Sequence, residues 1–246
     1  MQFQLNIQID SAGVTQIHQN AQFITIVKNV NSNPLATGNL QVAWLSISPF
    51  KTNQITWEQS YFMYATTTQL QAGARINLTS TTDAAVQLGP IYEFFSNLFH
   101  ATTQGAPNTY NLLNSGEQSL TFGLAQEATV NGTAVMSPLN ATRVGNAQSA
   151  TFTPIETVSI YLSSFSNNGV VISQVAGSAL VVQLTSQKPV ANIGFNNATN
   201  SFFLVSQTGL DAAFSFTEVA LDQLPALKVP AALPGSQSQS QRQLRQ

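Results

Sequence analysis

Charge is scarce in this chain. Lys, Arg, Asp and Glu make up 7% of its 246 residues, where an ordinary soluble domain carries about 25%. Outside the extreme C-terminus the basic residues are Lys28, Lys51, Arg75, Arg143, Lys188 and Lys228, scattered along a chain of net charge −2. No basic face is built for phosphates, so nucleic acid is not expected as a partner. Cysteine is absent, which removes disulfides and thiolate metal sites. The two histidines, His18 and His100, stand in no H-x-x-x-H pattern and beside no carboxylate-rich loop, so no metal is expected. His18 falls in a polar stretch that reads as a loop. A Gly-x-Ser-x-Gly elbow, a phosphate loop and a dinucleotide fingerprint are all missing, so neither a cofactor nor a catalytic residue is expected. The N-terminal MQFQLNIQID lacks the basic start and apolar stretch of a signal peptide. The expected location is cytoplasmic, or outside the cell by a route without a classical leader.

Amides and hydroxyls stand where charges would. The chain has 26 Gln and 21 Asn, and Ser and Thr supply about a fifth of it. Such a surface donates and accepts hydrogen bonds without titrating, which suits binding or assembly better than acid–base catalysis. Four glycosylation sequons, at Asn77, Asn131, Asn140 and Asn197, are about what this Asn, Ser and Thr content gives by chance. With 43% apolar residues the chain has ample material for a core.

The apolar residues alternate. Phe3, Leu5, Ile7 and Ile9 are separated by Gln4, Asn6 and Gln8, the period of a strand with one buried face. Further strands are expected at 23–30, 40–47, 55–65, 74–80, 120–125, 158–163, 170–175, 179–184, 190–195 and 202–207. Asn168-Gly169 suits a tight turn and predicts that the strands around 158–163 and 170–175 pair as a hairpin. After Gly89-Pro90, Ile91, Phe94, Phe95 and Leu98 fall at i, i+3, i+4 and i+7, which predicts a short helix. Residues 101–116 read as a long connection. The predicted fold is all-β: an antiparallel β-sandwich, in two similar sandwich units with at most two short helices. The units are expected at 1–116 and 117–224, followed by a flexible Pro-, Gln- and Ser-rich tail over 225–246.

Aromatic residues supply the candidate binding site. Trp44, Trp57, Tyr61 and Tyr64 lie on two successive predicted strands, with Phe94 and Phe95 further along. Rings with polar tips suit sugars and amphiphilic ligands, and Asn53, Gln54 and Gln59 could bond to hydroxyls. The competing reading makes Trp44 and Trp57 hubs of the core. Glu58, in Trp57-Glu-Gln-Ser-Tyr61, and Glu93, in Tyr92-Glu-Phe-Phe95, are the carboxylates with aromatic neighbours. A glycosidase would need such a pair across a cleft, but on alternating strands the acids face solvent while the rings face the core. The expected ligand-binding residues are therefore Trp57, Glu58, Tyr61, Tyr64, Phe94 and Phe95.

The uncharged run from Thr157 to Gln187 is too polar for a membrane-spanning helix, though a β-barrel pore could use such a hairpin. Few charges, no cysteine and many strands resemble the make-up of cytoplasmic lectins and defence proteins, a similarity of composition that implies a binding role. The expected function is non-enzymatic recognition of a neutral small molecule or glycan by a homo-oligomer. Two alternatives stand beside it: a small aromatic or apolar ligand between the halves near Trp57, Tyr61, Phe94 and Phe95, and a pore-forming protein acting on a membrane.

Overall fold

The computed structural model describes residues 1–34, 40–173 and 179–205. The tail expected over 225–246 lies outside them. Strands hold 57% of the described residues and helix 5%, so the fold is all-β and sandwich-like.

The first strand follows its alternation: β1 (Gln2–Gln8) buries Phe3, Leu5 and Ile7 and turns its amides outward. It pairs antiparallel with β5 (Thr52–Glu58) and parallel with β17 (Val190–Asn196). The first sheet runs β18 (Ser201–Leu204), β17, β1, β5, β11 (Leu120–Val130), β6 (Phe62–Thr66) and β7 (Ser80–Thr81). Two further strands, β12 (Thr133–Pro138) and β13 (Thr142–Val144), also pair with β11. The second sheet runs β4 (Leu45–Ile47), β2 (Phe23–Asn33), β14 (Gln148–Ser163), β10 (Tyr110–Asn114), β8 (Pro90–Phe95) and β9 (Leu98–Gln104), with β16 (Leu180–Gln183) against β14. Apolar faces from both sheets join in one core: Phe3, Leu5, Ile55, Trp57, Phe122 and Leu124 from the first, and Ile24, Ile26, Phe94, Leu112, Phe152 and Ile160 from the second. A small sheet of β3 (Gln41–Ala43) and β15 (Val170–Ile172) sends Val42 and Val171 into one satellite cluster. It sends Ala43, Val170 and Ile172 into another, so the outer face of β2 is covered at Val27.

Met1–Ser206 forms one compact unit. Strands from before and after residue 116 mix in both sheets, so the expected boundary at 116/117 corresponds to no gap between layers: β11 lies between β5 and β6, and β14 between β2 and β10. Most pairings are antiparallel, but β1–β17 and β10–β8 are parallel.

Several local expectations are corrected. The predicted helix after Pro90 is the β8–β9 hairpin, closed by Ser96 and Asn97 with φ of 51° and 64°. Apolar spacing of i, i+3, i+4, i+7 also fits a tight hairpin, because Phe94 and Phe99 then share one face and Phe95 and Leu98 the other. The connection expected over 101–116 contains the end of β9 and all of β10. The real helix, α1 (Ser11–Gln19), contains His18 in its last turn, where a loop was expected. Asp10 caps it, accepting from Gly13 N–H at 2.7 Å, and Ile17 anchors it in the core. The hairpin expected at Asn168-Gly169 does not form: β15 pairs with β3, and β14 with β2, β10 and β16. Only Gly169 of that dipeptide has positive φ, whereas the expected turn needs it at both positions. The Asn168 side chain instead accepts from Ser46 N–H at 2.7 Å. The strand expected over 74–80 reduces to one bridge, Arg75 to Val170, followed by β7.

Candidate functional site

The predicted aromatic residues converge, but on a side chain of the protein itself. On β2 the parity that buries Ile24 and Ile26 also puts Lys28 in the core. Facing it, β14 bulges: Pro154 pairs with Val30 and Val158 with Lys28, so 155–157 oppose a single residue. The bulge delivers Glu156 to the ammonium, and the Lys28 Nζ–Glu156 Oε2 distance is 2.8 Å. Lys28 also donates to Gln126 Oε1 at 2.9 Å and to the Tyr61 hydroxyl at 3.3 Å. Rings of Trp44, Trp57 and Tyr61 stand with centroids 5.7, 5.5 and 5.1 Å from Nζ, within cation–π range. The carboxylate is equally engaged, accepting from Trp57 Nε1–H at 3.1 Å and Tyr61 O–H at 2.6 Å.

Burial pulls the Lys28 ammonium down to about 8, against the opposing attraction and hydrogen bond of Glu156. Burial pushes Glu156 up, but the Lys28 charge and the hydrogen bonds from Lys28, Tyr61 and Trp57 outweigh it and hold the carboxyl below its ordinary range. Burial and then the Glu156 charge drive the Tyr61 phenol upward. An ammonium has three donors, and here each has an acceptor within the chain. The three N–H groups of the ammonium are thus satisfied within the chain, and the cluster joins the two sheets.

The remaining expected residues are dispersed. Tyr64 is wholly buried in a satellite cluster and its hydroxyl donates to Asn140 C=O at 2.5 Å. Phe94 is buried against Phe99 and Phe122. Phe95 is 56% exposed at the hairpin tip. Glu58 is exposed at the end of β5, and Glu93 sits on β8 opposite His100. Sequence reasoning missed Lys28, Gln126 and Glu156. For Lys28 a signal existed, since it shares the parity of Ile24 and Ile26. Glu156 depends on a bulge that no residue pattern announces. Asn140, one of the sequons, is tied down, accepting from Leu124 N–H and donating to Ser32 Oγ, each at 2.9 Å.

Concavities open among the described residues in at least two places. One of about 280 Å³ lies beside Lys28, lined by Val27, Asn31, Gln41, Asn140 and Ile155 among others. The other, of about 480 Å³, is an open groove between β4 and the β11–β12 hairpin, a volume within the usual range of small-molecule sites. Leu45, Ile47, Phe50, Val130 and Val135 provide its apolar surface, and Ser46, Ser48, Asn131, Thr133 and Asn168 its polar one. Phe50 is 58% exposed. The carbonyl oxygens of Asn131 and Asn168 are used in the fold, accepting from Gln54 and Ser46 N–H groups, which orients their NH₂ groups and leaves those as donors. His18 Nε2 lies 3.5 Å from Ser48 Oγ at the rim. Asp10, at the opposite end of α1 from His18, is bound to Gly13 and Asn197.

No family model, curated protein or solved structure matches this chain. Among the described residues, no group of three or more His, Asp or Glu is placed to hold a metal ion, and no helix is long and apolar enough to cross a membrane.

Proposed function

We propose that this chain is a non-enzymatic binding protein that takes a neutral, hydroxyl-bearing ligand, first of all a glycan, in the groove between β4 and the β11–β12 hairpin. We further propose that it works as a self-associating protein. The observation that carries the reading is the lining of the groove, in which an exposed aromatic ring, Phe50, stands beside amides and hydroxyls with no charged side chain. An aromatic ring supplies stacking area, and fixed NH₂ groups supply direction to hydroxyl oxygens. Low charge also weakens repulsion between copies.

Binding to a panel of neutral glycans tests the reading, with Phe50→Ala and Asn168→Ala as the site variants. The expected result is a bound glycan whose affinity falls at least about tenfold in Phe50→Ala, the loss of a stacking contact of roughly 1–3 kcal/mol, with thermal stability unchanged. A glycan bound equally well by both variants would place the site elsewhere. Glu58→Gln and Glu93→Gln, which remove the two carboxylates flanked by aromatic residues in the sequence while keeping their shape, should leave binding unchanged. Loss of an activity in either, with folding intact, overturns the non-enzymatic reading.

A further inference from the structure

Among the described residues, β9 is the last strand of the second sheet and pairs only with β8, with β7 lying near it unpaired. Six of its seven residues are exposed, and only Phe99 packs toward the core. Proteins usually blunt such an edge with lysine, proline, an inward charge or a bulge. From Leu98 to Ala101 none of these is present, and the register shift begins only beyond Ala101.

The hydrogen-bonding direction along β9 follows from its turn. Ser96-Asn97 is a two-residue loop, so its flanking pair, Phe95 and Leu98, bonds across the hairpin and the pairs then alternate. His100 therefore bonds to Glu93, while Phe99 and Ala101 turn their N–H and C=O groups away from β8. The alternation is visible on the far side, where the Phe94 carbonyl, in a non-bonded pair with Phe99, accepts from Ser115 N–H at 3.0 Å.

We propose that β9 receives the β9 of a second copy of this chain, antiparallel, about a two-fold axis at His100. The proposal rests on the self-association in the reading above and names its surface. In this register Phe99 pairs with Ala101 of the partner subunit, and the reverse, so all four outward-facing groups of the straight segment find partners. Only this axis uses both residues before the bulge. No Lys, Arg, Asp or Glu lies in Leu98–Gln104, so none of these side chains meet across the two strands, and exposed Leu98 gains cover. One strand pair is a small interface, so the dimer is weak and concentration-dependent.

The absence of cysteine from the chain makes the register testable. In a non-hydrogen-bonded antiparallel pair the Cα atoms stand about 4.5 Å apart, inside the disulfide range of roughly 4.4–6.8 Å. Oxidation of His100→Cys with diamide should give a covalent dimer, and oxidation of Gln104→Cys should not. Separately, Ala101→Pro removes an outward donor while sparing the bonds of the hairpin, and should weaken the dimer at least about tenfold in sedimentation, one strand of the ladder being interrupted. Thermal unfolding of the two cysteine variants and of Ala101→Pro checks that each is folded. A wild-type chain that stays monomeric at every concentration overturns both this surface and the self-association reading. Self-association that survives Ala101→Pro, or equal crosslinking of the two cysteine variants, overturns the β9 surface alone and leaves that reading standing.

Discussion

Lys28 is buried because strand parity leaves it nowhere else to go, and every partner it has answers that burial. Replacing one member of a buried ion pair strands the other, at a cost of about 3–5 kcal/mol. Lys28→Met should therefore lower stability by roughly 3 kcal/mol in denaturant unfolding, since Glu156 lies nearer the surface and recovers some hydration. The double variant Lys28→Met with Glu156→Gln should be more stable than the single one, and simple additivity in that cycle would show that the two groups are not coupled. The pH dependence has a defined sign. The lysine is held at about 8 in the fold against an ordinary 10.5, so between these values the unfolded chain binds more protons. Stability contributed by this group is then present above the upper value and is lost as pH falls through the lower one. Thermal unfolding from about pH 8 to 10 should show a rise in wild type, relative to Lys28→Met, over the window that the depressed lysine defines. Trp57 belongs to the same cluster and is 2% exposed. Trp57→Ala should cost about 3–5 kcal/mol of stability, and glycan affinity at saturating fold should be unchanged, because the ring lines no open surface.

At the scale of elements, α1 depends on a single cap. Asp10 accepts from Gly13 and also from Asn197 Nδ2, at 3.0 and 2.9 Å, so it ties the helix to the turn between β17 and β18. These bonds, led by that to Gly13, lower the Asp10 carboxyl below its ordinary value. Asp10→Ala should lower stability through loss of the cap, and amide exchange should quicken in α1 and in β17–β18 together; quickening confined to the helix would separate the two. The cap could be read in the chain, as Asp followed by Ser-Ala-Gly, but the helix behind it could not. Its nine residues bury only Gly13 and Ile17, too little to show a period of 3.6. In β1, by contrast, three alternating apolar residues, Phe3, Leu5 and Ile7, announce one wet and one dry face. The Pro90 segment shows the limit of periodicity: a hairpin with two positive-φ residues mimics the spacing of a helix, and Ser96-Asn97 is a weaker turn signal than Asn-Gly. Pairing partners were less legible still. Residues 158–163 and 170–172 are close in sequence, yet β15 bonds to β3, because register is fixed by which apolar faces must be covered. The same cause hid the candidate site: the rings were visible in the chain, but whether they line a groove or surround Lys28 depends on the bulge at Glu156.

Over the whole molecule, polarity is supplied by groups that salt does not screen. The fold's internal ion pair, Lys28–Glu156, has side chains 0% and 11% exposed, so ions in solution reach it poorly. The remaining charges are few and spread over a large surface, and the groove between β4 and the β11–β12 hairpin is lined by none. A ligand held there by Phe50 and by the NH₂ groups of Asn131 and Asn168 gains its free energy from stacking, desolvation and neutral hydrogen bonds. Screening shortens the reach of charges to about 3 Å at molar ionic strength, but leaves those contributions nearly intact. Glycan affinity should accordingly change by less than about twofold between low and near-molar sodium chloride, since almost no counterions are exchanged on binding. The melting temperature should stay nearly level over the same range. Calorimetric titration at both ends of the series provides the measurement. A steep fall in affinity would mean that a charged residue outside the groove holds the ligand, and Lys51, exposed next to Phe50 in the chain, would then be the first side chain to exchange for methionine.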